Sequence, residues 1–118
     1  MRTRNVNLLL AVVAVCASTV VPAAAAGTKT TTVDVKAVEF SFTLSTKKLA
    51  KPGTVAFVVK NAGHLSHDFK IDGKKTALIQ PGKSAKLTVD FKKQGSYPYL
   101  CTVPGHAAAG MKGVFTVH

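Results

Sequence analysis

Alternating apolar and polar residues predict short β-strands along most of the chain after residue 30. The alternation is nearly regular in residues 31–42 and strict in residues 86–91, while residues 55–59 form a compact β-branched run. No segment after residue 26 has the pattern of a long amphipathic helix. The apolar residues that alternate are Val33, Val35, Phe40, Phe42, Leu87, Val89 and Phe91. The pattern therefore predicts an all-β protein.

Turn-forming residues separate these predicted strands at the intervals typical of a β-sandwich. Residues 27–118 are enough to enclose one modest core, and they contain no repeat or linker that would indicate a second domain. We therefore expect a single domain over residues 27–118. The turn signals are Lys51-Pro52-Gly53, Asp72-Gly73, Gln80-Pro81-Gly82 and Gln94-Gly95.

The N-terminal segment has the order of a secretory signal peptide. Two arginines in residues 1–4 precede an apolar run over 8–21, and Pro22 and four alanines follow. We expect cleavage after residue 26 and export to the periplasm or the extracytoplasmic face of the cell envelope. The alternative is a retained membrane anchor, because residues 8–26 are almost long enough to span a bilayer. After cleavage the protein would not be an integral membrane protein.

Removal of residues 1–26 would leave one cysteine, Cys101, and no possible internal disulfide. An unpaired cysteine in an exported protein is open to oxidation and calls for a reason. Metal ligation supplies one, since a coordinated thiol is deprotonated and held as a ligand. The alternative is a buried, inert thiol.

Cys101 begins a Cys-x4-His-x4-Met run that continues with His106 and Met111. The turn-forming residues in this run are Pro104, Gly105 and Gly110. A fourth ligand must come from elsewhere in the fold, and His67 is the candidate. One thiolate, two imidazoles and a weak axial thioether suit a mononuclear blue-copper electron-transfer site. Met111 would be read as core packing if it stood alone.

The chain resembles the cupredoxins, the family of small blue-copper proteins that includes plastocyanin, amicyanin, azurin and rusticyanin. The resemblance covers nearly all of residues 30–118. It implies an all-β, Greek-key β-sandwich of about seven or eight strands. It also implies one copper ion, cycling between Cu(I) and Cu(II), held by His67, Cys101, His106 and axial Met111. The motifs that carry it are Asn61-x-Gly63-x3-His67-Asp68, Tyr99-x-Cys101-x4-His106-x4-Met111 and Gly113-Val-Phe-Thr-Val117.

The resemblance also assigns a role to the residues that follow two of the ligands. Many cupredoxins have Asn after the first histidine, tying its loop to a Ser or Thr beside the cysteine. In this chain the pair would be Asp68 and Thr102. A carboxylate can accept from both the hydroxyl and a backbone amide, and it would add negative charge near copper. The alternative is that Asp68 is a plain surface loop residue.

The predicted metal loops are apolar. Residues 62–66 and 102–111 contain no Lys or Arg. By resemblance, His106 would be the electron port, and a redox partner such as a cytochrome or a copper or flavin oxidoreductase would dock around it. We expect a monomer. The predicted docking residues are Leu65, Val103, Pro104, Ala107, Ala108 and Ala109.

The chain is strongly basic, with 16 Lys and Arg residues against 5 Asp and Glu residues. This balance is compatible with an acidic partner, an anionic envelope surface, or solubility alone. Strand directions place the pairs Lys92-Lys93 and Lys74-Lys75 far from the metal. Nucleic-acid binding is excluded as a reading, because both arginines lie in residues 1–4 and no aromatic residues interleave with the lysines.

We predict that the protein is a one-electron shuttle between redox partners, and two other functions are considered. A copper carrier or buffer would use the same ligands but would have to release the metal. An enzyme is not expected, because a Cys-His nucleophile pair would need an oxyanion-hole motif that does not stand out. Four histidines also leave no second full copper site. Of these, His64 does not match the family position and is expected to be an exposed loop residue.

Overall fold

The computed structural model describes residues 29–118, so the predicted signal peptide 1–26 lies outside the described residues. Within residues 29–118 no helix is long and apolar enough to cross a membrane. The strands of this part of the chain are β1 (Thr31–Val38), β2 (Ser41–Leu44), β3 (Lys48–Leu49), β4 (Gly53–Asn61), β5 (Lys70–Ile71), β6 (Lys74–Lys75), β7 (Ser84–Phe91), β8 (Gly95–Leu100) and β9 (Lys112–Val117).

The strands form two sheets, which confirms the predicted β-sandwich. The first sheet has the order β2-β1-β4-β7 and the second the order β3-β9-β8-β5-β6. Two pairs are parallel, β1 with β4 and β3 with β9, and the others are antiparallel. The described residues contain nine strands rather than seven or eight. The three two-residue strands β3, β5 and β6 are too short to show an alternating pattern.

The core fills the space between the two sheets. Inward-facing residues alternate along β1, where Val33 and Val35 are buried and their neighbours are exposed. Phe57 of β4 lies at the centre, with its ring 5.2 Å from Phe69 and 5.4 Å from Phe115 between ring centroids. An edge-to-face aromatic pair such as Phe57 with Phe115 adds about 0.5–1.5 kcal/mol beyond the burial of its area. The core side chains therefore pack the two sheets against each other.

The reading of residues 31–42 as one continuous alternating segment is wrong. The chain reverses at Glu39 and Phe40, and β2 pairs antiparallel with β1 so that Val38 faces Ser41. Phe42 is buried as expected, but Phe40 is 40% exposed. Alternation has the same period before and after a two-residue hairpin turn, so periodicity alone does not reveal the reversal.

Strand direction places the predicted ligands at one end of the sandwich, here called the metal end, where β8 reaches Cys101. β8 starts at the opposite end, where Gly95 faces Val117, and the pair Lys92-Lys93 lies there as predicted. The prediction for Lys74-Lys75 is wrong. β5 has only two residues before the Asp72-Gly73 turn, and Lys75 pairs with Lys70, which in turn faces Leu100. This second lysine pair therefore lies beside the half of the sheet that leads to Cys101.

Candidate metal centre

A closed loop between β8 and β9 carries three of the predicted ligands. The backbone N–H of Cys101 donates to the carbonyl of Met111 at 3.0 Å, and that of Met111 donates to the carbonyl of His106 at 3.1 Å. Gly105 and Gly110 have φ of 82° and 122°, values that L side chains rarely adopt. The glycines allow the tight path, and the backbone bonds fix where the three side chains begin.

His67 comes from the other part of the chain, on the loop that follows β4. Its backbone exchanges two hydrogen bonds with Ile79, at 3.1 and 2.7 Å. The side chain of Asn61 donates to the carbonyls of Leu65 at 2.7 Å and Ile79 at 2.8 Å. Asn61 is fully buried. These bonds hold the His67 loop against the sandwich.

The donor atoms of His67, Cys101 and His106 converge on one point. The two Nδ1 atoms are 3.1 Å apart, and Cys101 Sγ lies 3.7 Å from Nδ1 of His106 and 4.0 Å from that of His67. One metal ion can satisfy all three, because metal–nitrogen and metal–sulfur bonds are about 2.0–2.3 Å long. His67, Cys101 and His106 are 0%, 1% and 8% exposed. Two imidazoles and a thiolate are a donor set that suits copper.

Met111 is nearby and fully buried, in the same loop and bonded through its backbone to both Cys101 and His106. Its thioether would be a weak, soft ligand to a bound copper ion. Burial raises the pKa of the Cys101 thiol above its ordinary value. Metal binding at this cysteine must therefore displace a proton.

Asp68 and Thr102 join the two loops. The Thr102 backbone N–H donates to Asp68 Oδ1 at 2.6 Å, and the Thr102 hydroxyl donates to Oδ2. Asp68 is 5% exposed, so it is not a plain surface residue. The Asp68 carboxylate thus accepts from both the backbone N–H and the hydroxyl of Thr102, as predicted for this pair.

Glu39, which the sequence reading missed, also lies at the metal end. Its Oε1 is 3.1 Å from Nε2 of His67 and accepts from the backbone N–H groups of His64 and Leu65, each at 2.7 Å. The Leu65 N–H, most strongly, and the His64 N–H lower the pKa of Glu39 to about 2. The prediction that the metal loops are apolar and free of lysine and arginine considered residues 62–66 and 102–111 alone. It overlooked this carboxylate, which the β1–β2 turn brings there.

Five of the six predicted docking residues lie within three positions of His106 in the same loop. His64 is exposed as expected, with 98% of its side chain accessible. Leu65 is 46% exposed. Phe40, also missed, packs its ring edge-on against His106 with centroids 5.1 Å apart. In the sequence, Phe40 stood out only as one of the alternating apolar residues, and this pattern predicted that it would lie in the core. Of the predicted set, Pro104, Ala108 and Ala109 are exposed, and Val103 and Ala107 are half-buried.

Comparison with known proteins gives a family match over most of the chain. The family model described as copper binding proteins, plastocyanin/azurin family, matches residues 18–118. The copper-resistant cuproprotein CopI of Pseudomonas aeruginosa is 46% identical over 48 residues, 41% of this chain and 26% of CopI. Auracyanin-B of Chloroflexus aurantiacus is 48% identical over 42 residues, 36% of this chain and 18% of that protein. The matched regions are thus 26% and 18% of the length of these two relatives.

Solved structures agree on the fold. The dithionite-reduced auracyanin of Roseiflexus castenholzii superposes with a TM-score of 0.64 at 24% identity, covering 75% of this chain and 97% of that one. The likeness to that structure concerns the fold alone. The family match, together with the convergent His, Cys and His donors, confirms the resemblance and the copper cofactor inferred from the sequence. The chain belongs to the plastocyanin/azurin family of copper-binding proteins.

Proposed function

We propose that this protein is a one-electron carrier whose copper is held by His67, Cys101, His106 and Met111. The observation that carries the proposal is the convergence of two Nδ1 atoms and one Sγ atom, 3.1 to 4.0 Å apart, in a buried place. When bound, copper supplies the one-electron Cu(I)/Cu(II) couple. The protein supplies the donor set and excludes water from it.

The ligand side chains and their loop favour rapid and reversible electron exchange by the bound copper. The thiolate of Cys101 and the thioether of Met111 favour the reduced ion, while the imidazoles accept both oxidation states. The loop from Cys101 to Met111 is braced by backbone hydrogen bonds, so its side chains need to move little when the charge changes. A small rearrangement keeps the barrier to electron transfer low.

The proposed exit for the electron is His106. It is 8% exposed, whereas His67 is fully buried. Its surroundings are apolar side chains, which a protein partner desolvates at little cost. We infer that a redox protein, such as a cytochrome or a copper or flavin oxidoreductase, docks on this face of a monomer. We assign no catalytic step. An oxidase would need a second copper site, and residues 29–118 bring together one His/Cys donor cluster that could hold a metal.

We also propose that the carrier works outside the cytoplasm, as residues 27–118 after removal of the signal peptide. The basic, apolar and small-residue order of residues 1–26 supports this, and so does the single cysteine that would remain. Mass spectrometry of protein recovered from a cell-envelope fraction would show an N-terminus at residue 27. An intact N-terminus in washed membranes would indicate a retained anchor instead.

A copper carrier or buffer is the second candidate, because three of the matched relatives are named copper-resistant cuproprotein CopI. The burial of His67, Cys101 and Met111 opposes rapid release of the metal. Transfer of copper to a chelator distinguishes the two roles. A shuttle retains its copper through many redox cycles, whereas a carrier gives it up within the lifetime of an encounter.

The first experiment is the visible and paramagnetic resonance spectrum of residues 27–118 after addition of Cu(II). We expect an intense thiolate-to-copper band with narrow hyperfine splitting, reversibly bleached by reductant and absent in Cys101→Ser. His67→Ala should lose the band, while the matched control His64→Ala should keep it, because His64 points into solvent. An ordinary Cu(II) spectrum that is indifferent to Cys101 would contradict the proposal.

A further inference from the structure

The turn between β1 and β2 lies against both histidines of the metal centre. We propose that Glu39 in this turn is a positioning residue, which orients His67 for metal binding and lowers the reduction potential of the copper. The inference rests on the proposed copper site. It concerns a residue outside the ligand loops, separated from His67 by 28 positions in the chain.

The Glu39 carboxylate is fixed in place by the loop that it contacts. Its Oε1 accepts from the backbone N–H groups of His64 and Leu65, both at 2.7 Å. The same oxygen lies 3.1 Å from Nε2 of His67. Only 21% of the Glu39 side chain is exposed. Two charge-assisted backbone bonds and partial burial give this carboxylate one defined position.

A carboxylate at this position decides which nitrogen of His67 carries the proton. A neutral imidazole has one N–H, and Glu39 is an acceptor, so the N–H belongs on Nε2. The lone pair is then on Nδ1, which faces Nδ1 of His106 at 3.1 Å and Sγ of Cys101 at 4.0 Å. Outer hydrogen bonds of this kind fix ring orientation and raise the basicity of a ligating histidine.

The packing at Gly63 gives an independent indication that this contact is built in. A Cβ at Gly63 would lie 2.5 Å from Oε1 and 2.7 Å from Oε2 of Glu39. Real Cβ atoms essentially never approach so closely, and Gly63 does not have the positive φ that would itself call for glycine. Its N–H donates to Oδ1 of Asn61 at 2.9 Å. Glycine at this position is what lets the carboxylate reach the His67 loop.

The neighbouring residue of the turn contacts the second histidine. The ring of Phe40 meets that of His106 at 74° with centroids 5.1 Å apart. A Cβ at Gly110 would come within 3.1 Å of the Phe40 carbonyl oxygen, so the turn also lies close to the cysteine loop. The turn therefore contacts both imidazoles of the metal centre.

The charge of Glu39 should act on the redox equilibrium. A fixed negative charge one imidazole away from the metal stabilises Cu(II) more than Cu(I). Removing it in Glu39→Gln keeps the shape of the side chain and one carbonyl acceptor. We expect the ratio of Cu(I) to Cu(II) affinity to rise by about tenfold. For a one-electron couple this corresponds to a potential higher by about 59 mV.

The test combines three variants and two readouts. Glu39→Gln removes the charge, and Gly63→Ala displaces the carboxylate without changing any charge. As a control, Asp34→Asn removes an exposed charge from β1, the strand that precedes the turn. Voltammetry should show a higher potential for the first two variants and no change for the third. In the metal-free parent protein, nitrogen NMR should show the His67 proton on Nε2. In Glu39→Gln and Gly63→Ala, a larger fraction of His67 should carry its proton on Nδ1.

Unchanged potential and an unchanged His67 tautomer in both Glu39→Gln and Gly63→Ala would overturn the proposal. A variant that shifts thermal unfolding without altering either readout counts against it as well, since that is the effect of a merely structural residue. If the parent protein gave no thiolate-to-copper band, the proposed function would fail separately. The tautomer measurement needs no metal and would still decide whether Glu39 orients His67.

Discussion

Asp68 and Thr102 hold the two ligand loops together through two hydrogen bonds to a single carboxylate. The Thr102 backbone N–H reaches Oδ1 at 2.6 Å, and the hydroxyl reaches Oδ2. Asp68 follows His67 directly, and Thr102 follows Cys101 directly. The pair therefore fixes the spacing between the imidazole and the thiolate, and it places a negative charge beside the proposed copper.

Replacement of Asp68 by Asn should raise the reduction potential. The amide carries no charge, so Cu(II) is stabilised less relative to Cu(I). A change of tenfold in that balance corresponds to about 59 mV for one electron. The amide also offers one acceptor oxygen in place of two, which should cost about 1–3 kcal/mol of stability. Voltammetry and denaturant titration measure the two effects.

Asp90→Asn is the matched control for this change, since Asp90 is exposed on β7 at the end opposite the metal. Its potential should equal that of the parent protein. A potential for Asp68→Asn below that of the parent would refute the electrostatic account.

Replacement of Gly113 by Ala should destabilise the protein. A Cβ at this position of β9 would collide with the hydroxyl and ring of Tyr99, which lies across from it on β8. Tyr99 is 1% exposed and packs against Phe42 and Phe69, so it has little room to move. Overpacking of this kind costs about 1–3 kcal/mol, which denaturant unfolding would detect.

Gly53→Ala provides the control for that measurement. The nearest atom to its Cβ would be a backbone oxygen 4.0 Å away, and its φ is not positive. It should therefore be neutral or slightly stabilising, through the loss of chain entropy in the unfolded state. Equal stabilities for the two alanine variants would show that the Tyr99 contact does not constrain β9.

The stability of the protein at alkaline pH should depend on Tyr99. Burial raises the pKa of Tyr99 above its ordinary value, because it disfavours the phenolate. The folded state thus holds this proton more tightly than the unfolded chain does. The resulting stability is complete below the ordinary tyrosine pKa of about 10 and is lost as the pH rises through the raised value.

Tyr99→Phe removes this ionisation. The free energy of unfolding of the variant should therefore fall less steeply above about pH 10 than that of the parent protein. Comparing the two proteins at each pH cancels the contribution of the many lysines. Parallel curves for the two proteins would contradict the predicted role of Tyr99.

Electron exchange with a partner that docks around His106 should depend only weakly on salt. The residues around His106 are mostly apolar, and, although Lys74 and Lys75 lie nearer to the metal end, Lys92 and Lys93 lie at the other end of the sandwich. Charges that far from the contact are screened at about 0.1 M salt, where the Debye length is about 10 Å. Stopped-flow rates with a soluble c-type cytochrome at increasing ionic strength measure the effect.

Leu65→Lys would place a charge directly on this face, since Leu65 is 46% exposed. It should make the same rate clearly salt-dependent. A steep fall of the parent protein's rate with ionic strength would show that docking uses the lysines instead.

The local sequence pattern was enough to determine the class of fold and the chemistry of the site. Alternation along β1 and β7 identified inward-facing residues such as Val33 and Val89, which are buried. The Cys-x4-His-x4-Met run with Gly105 and Gly110 indicated one tight ligand loop. These features are readable because a strand has a fixed period of two and a tight turn requires particular residues.

The tertiary structure decided which distant residues support the site. The reversal at Glu39 and Phe40 brings a carboxylate to His67 and a ring to His106, although alternation had suggested one continuous segment. The short β5 likewise leaves Lys75 beside Lys70 instead of at the far end. Hairpin reversal and strand length depend on pairing between segments far apart in the chain, and a local period of two carries no information about either.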